Sequence, residues 1–167
     1  SAIIELFREY IVDVRNYIGE EVRVLFLGDK TIFDDDLQKK MNDLEEDTKD
    51  YNKMTMLLAI NYGGRDEIVH AAKILSEQVK RGEIQPDEIT EDMFQKYLYT
   101  ADVPDVDLMI RPSGELRLSN FLIWQSAYAE FYFTDVLWPD FNKEELKKAI
   151  VKYNERDRRF GGVKTEE

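Results

Sequence analysis

The chain has 167 residues, 43% of them hydrophobic and 35% charged, with a formal net charge of -12. That acidity argues against nucleic acid, whose backbone is bound by basic surface that releases counterions, and against electrostatic attachment to an anionic bilayer. With no cysteine and a single histidine, His70, it excludes disulfides, thiolate metal sites and a multi-histidine zinc centre within one chain, and no apolar run approaches the ~18 residues of a membrane-crossing helix.

The elements follow in order. Ile3, Phe7, Tyr10, Val14 and Tyr17 recur at helical spacing, with Ile4, Ile11 and Ile18 on an adjoining stripe, which predicts a helix packed on a sheet. Residues 22–27 are β-branched and aromatic and close on Gly28-Asp29, the pattern of a strand. Asp34, Asp35 and Asp36 suit the partial positive charge of a helix start better than a metal site. Leu37, Met41, Leu44, Thr48 and Tyr51 mark the inner face of that helix. Residues 54–60 are nearly all apolar, which fits a strand buried on both faces.

That strand runs into Asn61-Tyr62-Gly63-Gly64-Arg65 and then a helix with Ile68, Ala71, Ala72, Leu75 and Val79 inward and Gly82 at its end. Strand, glycine turn and helix N-terminus form a recurrent phosphate-binding arrangement, because free backbone N–H groups point outward there. A plain tight turn is the commoner meaning of two glycines. His70 lies off the main apolar stripe and reads as a surface residue. Thr90 caps a helix starting at Glu91.

Residues 106–110 read as a buried strand, followed by an Arg111-Pro112-Ser113-Gly114 turn. Arg117 and Ser119 come next, then an apolar run of helical character ending in Glu130. Two arginines and a hydroxyl at the carboxyl end of a strand suit an anionic ligand, since guanidinium groups grip phosphate oxygens in bidentate fashion. Surface ion pairs are the alternative on spacing alone. Residues 131–134 form a further strand. Asn142 with Glu145 starts a last helix that buries Leu146, Ala149, Ile150 and Tyr153. Strands alternating with helices define an α/β fold with a mostly parallel sheet flanked by helices.

The stretch IRPSGELRLSNFLIWQSAYAEFYFTDVLWPDF resembles the C-terminal signature of the cis-prenyltransferases, in particular the bacterial undecaprenyl diphosphate synthases. Asn61 to Arg65 matches a second family motif. Arg158-Arg159-Phe160-Gly161-Gly162 matches the family's C-terminal end. The resemblance implies condensation of isopentenyl diphosphate onto an allylic diphosphate, such as farnesyl diphosphate, in cis. Its product would be a long polyprenyl diphosphate, the carrier lipid of bacterial cell-wall synthesis.

By the same resemblance Arg111, Arg117 and Ser119 hold the diphosphate of isopentenyl diphosphate, and Asn61 and Arg65 border the active site. Glu130 is the Mg2+ ligand, and Mg2+ is the implied cofactor. The first helix would line the tunnel for the growing chain. The protein would be a cytoplasmic homodimer that delivers its product to the membrane, with Arg159 and Gly161 reaching the partner's site. Leu116 stands where several bacterial members carry histidine, which removes any histidine contribution there. The family's Asp-Gly-Asn-Gly-Arg-Trp motif, which carries its catalytic aspartate, does not occur in these 167 residues. Residues 1–162 are therefore expected to correspond to the C-terminal two-thirds of a family domain, inactive alone, with 163–167 as a tail. A non-catalytic partner subunit of a heteromeric enzyme is the alternative role.

Overall fold

The computed structural model describes residues 2–18 and 21–155, without the side chains of residues 2, 3, 12 and 15–18. The Arg158-to-Gly162 motif, including Arg159 and Gly161, lies outside the described residues. Two compact units divide the chain, Ser1–Thr100 and Ala101–Glu167.

The first unit runs α1 (Ala2–Ile18), β1 (Val22–Leu27), α2 (Asp35–Asp47), β2 (Met54–Ala59), α3 (Gly64–Lys80) and α4 (Glu91–Gln95). Strands β1 and β2 pair in parallel, Val22 opposite Met54 through Leu27 opposite Ala59. One face of this pair is the core. Val24 and Phe26 of β1 meet Ile11 of α1, Leu37, Met41 and Leu44 of α2, and Phe33, while Phe7, Val14, Met56 and Leu58 pack around them. The ring of Phe7 meets that of Phe26 edge-on at 6.1 Å. Tyr10, placed on the apolar stripe by its spacing, is exposed instead.

Helix α2 begins where the three aspartates predict. The Asp34 carboxylate accepts from the Leu37 N–H at 3.0 Å, satisfying a donor that has no partner inside the helix. This helix also covers an edge of β1. The Val24 N–H donates to Thr48 Oγ1 at 3.0 Å and the Phe26 N–H to Glu45 Oε1 at 2.8 Å. Side chains thus take the place of a neighbouring strand, which protects an edge that would otherwise invite pairing.

Strand β2 departs from expectation. It is half-exposed rather than buried on both faces, and Met54 is 55% exposed. The reason is position: α1 and α2 cover one face, and among the described residues β2 pairs with β1 alone. In α3 the inward stripe is Gly64, Glu67, Ala71 and Leu75, with Ile68 and Val79 half-buried and Ala72 exposed. Its end is as expected: Gly82 takes φ +72, and the Gly82 and Glu83 N–H groups close on the carbonyls of Val79 and Gln78. Thr90 caps α4 through the Met93 N–H at 3.2 Å.

The second unit holds β3 (Leu108–Arg111), β4 (Glu130–Phe133) and α5 (Lys143–Asn154). These strands are also parallel, with Leu108 opposite Glu130 and Arg111 opposite Phe133. Parallel neighbours need a crossover, usually a helix, and a helix is what the apolar run before Glu130 predicts. The chain instead crosses in a series of turns. Ser119, Asn120 and Leu122 all have positive φ, which breaks any right-handed helix. The Ser126 hydroxyl donates back to the Leu122 carbonyl at 2.6 Å, and single turns link Phe121 to Leu118, Ala127 to Trp124 and Ala129 to Ser126. Asn142 caps α5 by accepting from the Glu144 and Glu145 N–H groups at 2.9 and 3.3 Å. Ala149 is the buried residue of α5; Leu146 and Ile150, expected beside it, are exposed.

Candidate active site

In the second unit β3 delivers Arg111 to its carboxyl end. Pro112 has no N–H to continue the ladder, and the chain turns through Ser113 and Gly114, both at positive φ. This turn is pinned to the exit of β4: the Ser113 N–H donates to the Val136 carbonyl at 2.8 Å and the Gly114 N–H to that of Thr134 at 2.9 Å. A Cβ on Gly114 would meet Asp135 Oδ1 at 3.0 Å, so glycine suits both the conformation and the space.

The turn carries Arg117 back toward Arg111. Both line one cavity of about 170 Å³ with Met109, Ile110, Pro112, Leu118 and Phe121. Two guanidinium groups beside apolar walls can hold a phosphate group, and the low dielectric of such walls strengthens the attraction. Arg117 already pairs with the Glu115 carboxylate, so an incoming anion would compete with that pair. Ser119 is exposed at φ +49 and is not among the cavity's lining residues.

Glu130 opens β4, half-buried, with its N–H donating to the Asp107 carbonyl at 2.9 Å. The register sets it opposite Leu108, three residues and roughly 10 Å along the strand from Arg111. Among the described residues no group of three histidine, cysteine or acidic side chains could enclose a metal ion. Among the described residues a cation at Glu130 would therefore meet at most two such side chains. That fits Mg2+, which is commonly held by one or two carboxylates with waters and substrate phosphates, and it does not fit a cation that needs an all-protein cage.

The first unit carries the other two expected residues. Asn61 sits at the exit of β2 with φ +50. Its amide donates to the Asp29 carbonyl at 3.0 Å, tying the ends of β1 and β2 together. Gly28 makes that approach possible, since a Cβ there would lie 2.3 Å from the Ile60 carbonyl oxygen. Arg65 is exposed in the first turn of α3. Gly63, the residue capping that helix, offers no side-chain acceptor.

The residue that sequence reasoning missed is Glu67, fully buried in the next turn of α3. The Tyr62 hydroxyl donates to its Oε2 at 2.6 Å and the Tyr99 N–H to its Oε1 at 2.8 Å. Spacing could have found it, because Glu67, Ala71 and Leu75 follow one another at four-residue steps. Beside it lies a cleft of about 590 Å³ lined by Gly28, Asp29, Lys30, Asp66, His70 and Tyr99 among others. The Thr31 hydroxyl and N–H hold the Asp29 carboxyl below its usual range. Burial, aided by Asp66, pushes the Tyr99 hydroxyl up, and His70 stacks on its ring at 5.1 Å.

Over residues 1–161 the sequence matches the family described as "Putative undecaprenyl diphosphate synthase". The chain belongs to this prenyltransferase family. It is 50% identical over 165 residues to an isoprenyl transferase of Clostridium perfringens, covering 98% of this chain and 65% of that protein. It is 46% identical to a ditrans,polycis-undecaprenyl-diphosphate synthase of Pasteurella multocida, (2E,6E)-farnesyl-diphosphate specific, covering 98% and 68%. The fold is similar to that of lavandulyl diphosphate synthase from Lavandula x intermedia, solved with dimethylallyl diphosphate. There the TM-score is 0.85 at 36% identity, over 94% of this chain and 67% of that one. The chain thus spans about two thirds of the length of these relatives.

Proposed function

We propose that the protein elongates an allylic diphosphate with isopentenyl diphosphate in cis, yielding a long polyprenyl diphosphate that serves as the undecaprenyl carrier lipid of a bacterial cell wall. The observation that carries this reading is the pair Arg111 and Arg117 lining one cavity at the carboxyl end of β3, in a chain of a diphosphate-handling family. In this reading the two guanidinium groups orient the diphosphate of isopentenyl diphosphate, and Ser119, outside the cavity lining, is assigned to it by the family resemblance alone. Asn61 and Arg65 border the active site. Residues 1–162 form part of one prenyltransferase domain and 163–167 its tail.

Glu130 would hold Mg2+. When bound, the ion supplies neutralisation of negative charge on phosphate oxygens, which favours departure of a diphosphate. The chain's own share is to bind, orient and keep the reacting groups dry. Leu137 and Trp138 are 57% and 71% exposed just beyond β4, an apolar patch suited to the two-fold contact of a homodimer. Arg159 and Gly161 would then complete the partner's site. Among the described residues no helix is long and apolar enough to cross a membrane. In this reading the product is delivered from the cytoplasm at the membrane surface.

The test is incorporation of radiolabelled isopentenyl diphosphate into a farnesyl diphosphate primer by the full-length protein with Mg2+. Polyprenyl product supports the reading, and its absence with folded protein overturns it. Residues 1–167 alone are expected to give none, because catalytic groups that act as a unit do not give a proportionate share of the rate, and the aspartate motif is not among these residues.

A further inference from the structure

The two arginines of the cavity at the end of β3 are held differently. Arg111 ends the strand, and its carbonyl accepts from the Thr134 N–H at 3.1 Å. Its backbone is therefore fixed against the exit of β4. Arg117 lies beyond the Pro112-to-Gly114 turn with its side chain 63% exposed, and its guanidinium pairs with the Glu115 carboxylate. The Glu115 side chain is the more sheltered of the two, at 39%. It directly follows Gly114, whose N–H donates to the Thr134 carbonyl at 2.9 Å. The turn thus anchors the carboxylate beside the cavity, though not in its lining, and the long arginine side chain is the partner that can swing.

Glu115 works against anion binding. A ligand that takes both guanidinium groups must part Arg117 from its carboxylate and then sit near that carboxylate. A site built only to retain an anion gains nothing from this. The proposed reaction gives it a use. In each cycle the allylic C–O bond breaks, a C–C bond to the isopentenyl unit forms, that unit loses a proton, and inorganic diphosphate leaves from the allylic partner. The elongated chain therefore carries the diphosphate that entered on isopentenyl diphosphate. That diphosphate must vacate the cavity before the next isopentenyl diphosphate can enter. Two charge-assisted contacts beside apolar walls oppose its departure. A guanidinium that gives up a phosphate oxygen needs another acceptor, because a charged group left unmet is costly. Glu115 is that acceptor.

We propose that Glu115 is a positioning residue for release: by taking Arg117 back from the bound diphosphate, it lets the elongated product leave the cavity between cycles. This rests on the prenyltransferase reading. Glu115 does not touch the reacting carbons and acts through Arg117. Its loss tightens binding and slows the cycle together, whereas loss of a ligand contact weakens binding.

The experiment uses the full-length protein and Glu115→Gln, with Glu83→Gln as control. Glu115→Gln keeps the shape and removes the charge. Glu83→Gln removes a carboxylate from another exposed pair, with Arg81 Nε at 2.6 Å, away from the cavity lining, so it reports the effect of net charge alone. Isopentenyl diphosphate is titrated calorimetrically without an allylic partner, and elongation of farnesyl diphosphate is followed with Mg2+. An exposed ion pair shifts an equilibrium by up to about fivefold. Expected in Glu115→Gln is tighter binding by about two- to fivefold, with KM and kcat both lower by a similar factor. Glu83→Gln should keep all three values of the unaltered protein. Binding that weakens or stays unchanged in Glu115→Gln overturns the inference, and so does an equal gain in Glu83→Gln. Tighter binding with an unaltered kcat overturns it as well, since Glu115 would then compete for Arg117 without serving release. If the unaltered protein binds isopentenyl diphosphate but does not elongate, the functional reading fails and the release role falls with it, even where the titration shows the competition.

Discussion

Arg111 and Arg117 face one cavity of about 170 Å³ although one ends a strand and the other follows a turn. The Pro112-to-Gly114 turn, bonded to the exit of β4, is what brings them together. Losing one charge-assisted contact costs roughly 1.5–3 kcal/mol, about ten- to a hundredfold in affinity. Arg117→Ala in the full-length protein should weaken isopentenyl diphosphate binding by that factor in isothermal titration. Unchanged affinity would remove Arg117 from the site.

Glu130 bears on metal dependence. If its carboxylate is the one protein ligand to Mg2+, Glu130→Gln should raise the Mg2+ concentration needed for half-maximal elongation about tenfold or more, because a neutral amide oxygen is the weaker ligand for a hard cation. A titration of rate against Mg2+ that overlays the unaltered protein would exclude this role.

Gly28 has φ +115, and a Cβ there would lie 2.3 Å from the Ile60 carbonyl oxygen. Strain and overlap act together, so Gly28→Ala should destabilise by roughly 2–3 kcal/mol. Chemical denaturation measures this directly. A loss below about 0.5 kcal/mol would mean that β1 and β2 separate at that end without penalty.

Arg8 joins α1 to the start of α2. Its guanidinium bonds Asp34 and reaches Asp36 Oδ2 at 2.7 Å, and both carboxyls are held below their ordinary value of 3.8, Asp34 by Arg8 and Asp36 by Lys40 and then Arg8. Groups with lowered folded values stabilise the fold above the unfolded value, and lose that effect as pH falls through the folded one. The stability difference between the unaltered chain and Arg8→Ala should therefore be full near neutrality and shrink below pH 3.8. A difference that stays constant into strong acid would show that Arg8 acts by packing alone.

Leu137 and Trp138 address assembly. If their exposed side chains meet a second copy, sedimentation at micromolar concentration should show a dimer, and Trp138→Glu should shift it toward monomer. A monomer in both cases would leave that patch without the proposed partner.

Local chemistry made much of this fold legible. Asp34, Thr90 and Asn142 each cap the helix that its position predicts, because a cap depends on residues two or three places away. Strand β1 is legible from end to end for the same reason. The errors lie where distant partners decide. The burial of β2 depends on what lies beside it, and the exposure of Leu146 and Ile150 on what covers α5, and neither is encoded in periodicity. The apolar run before Glu130 has a helix's composition, but Ser119, Asn120 and Leu122 take left-handed backbones that local propensity disfavours. Glu67 was passed over because charged residues ordinarily lie in water, and only its hydrogen bonds explain its place inside. The paired arginines were readable as an anion site; the ion pair between Arg117 and Glu115 that such an anion must displace was not.

The turn-built crossover from β3 to β4 ties occupancy to folding. Most parallel pairs are joined by a helix that forms and packs by itself, whereas here the connecting segment contributes the Arg117, Leu118 and Phe121 side of the cavity. A ligand seated there would hold the two strands together as well as being held by them. An anion at a hundred times its dissociation constant adds about 2.7 kcal/mol to the stability of the state that binds it. Melting temperature would then be a direct gauge of diphosphate affinity, and a screen for molecules that fill this cavity could proceed without turnover.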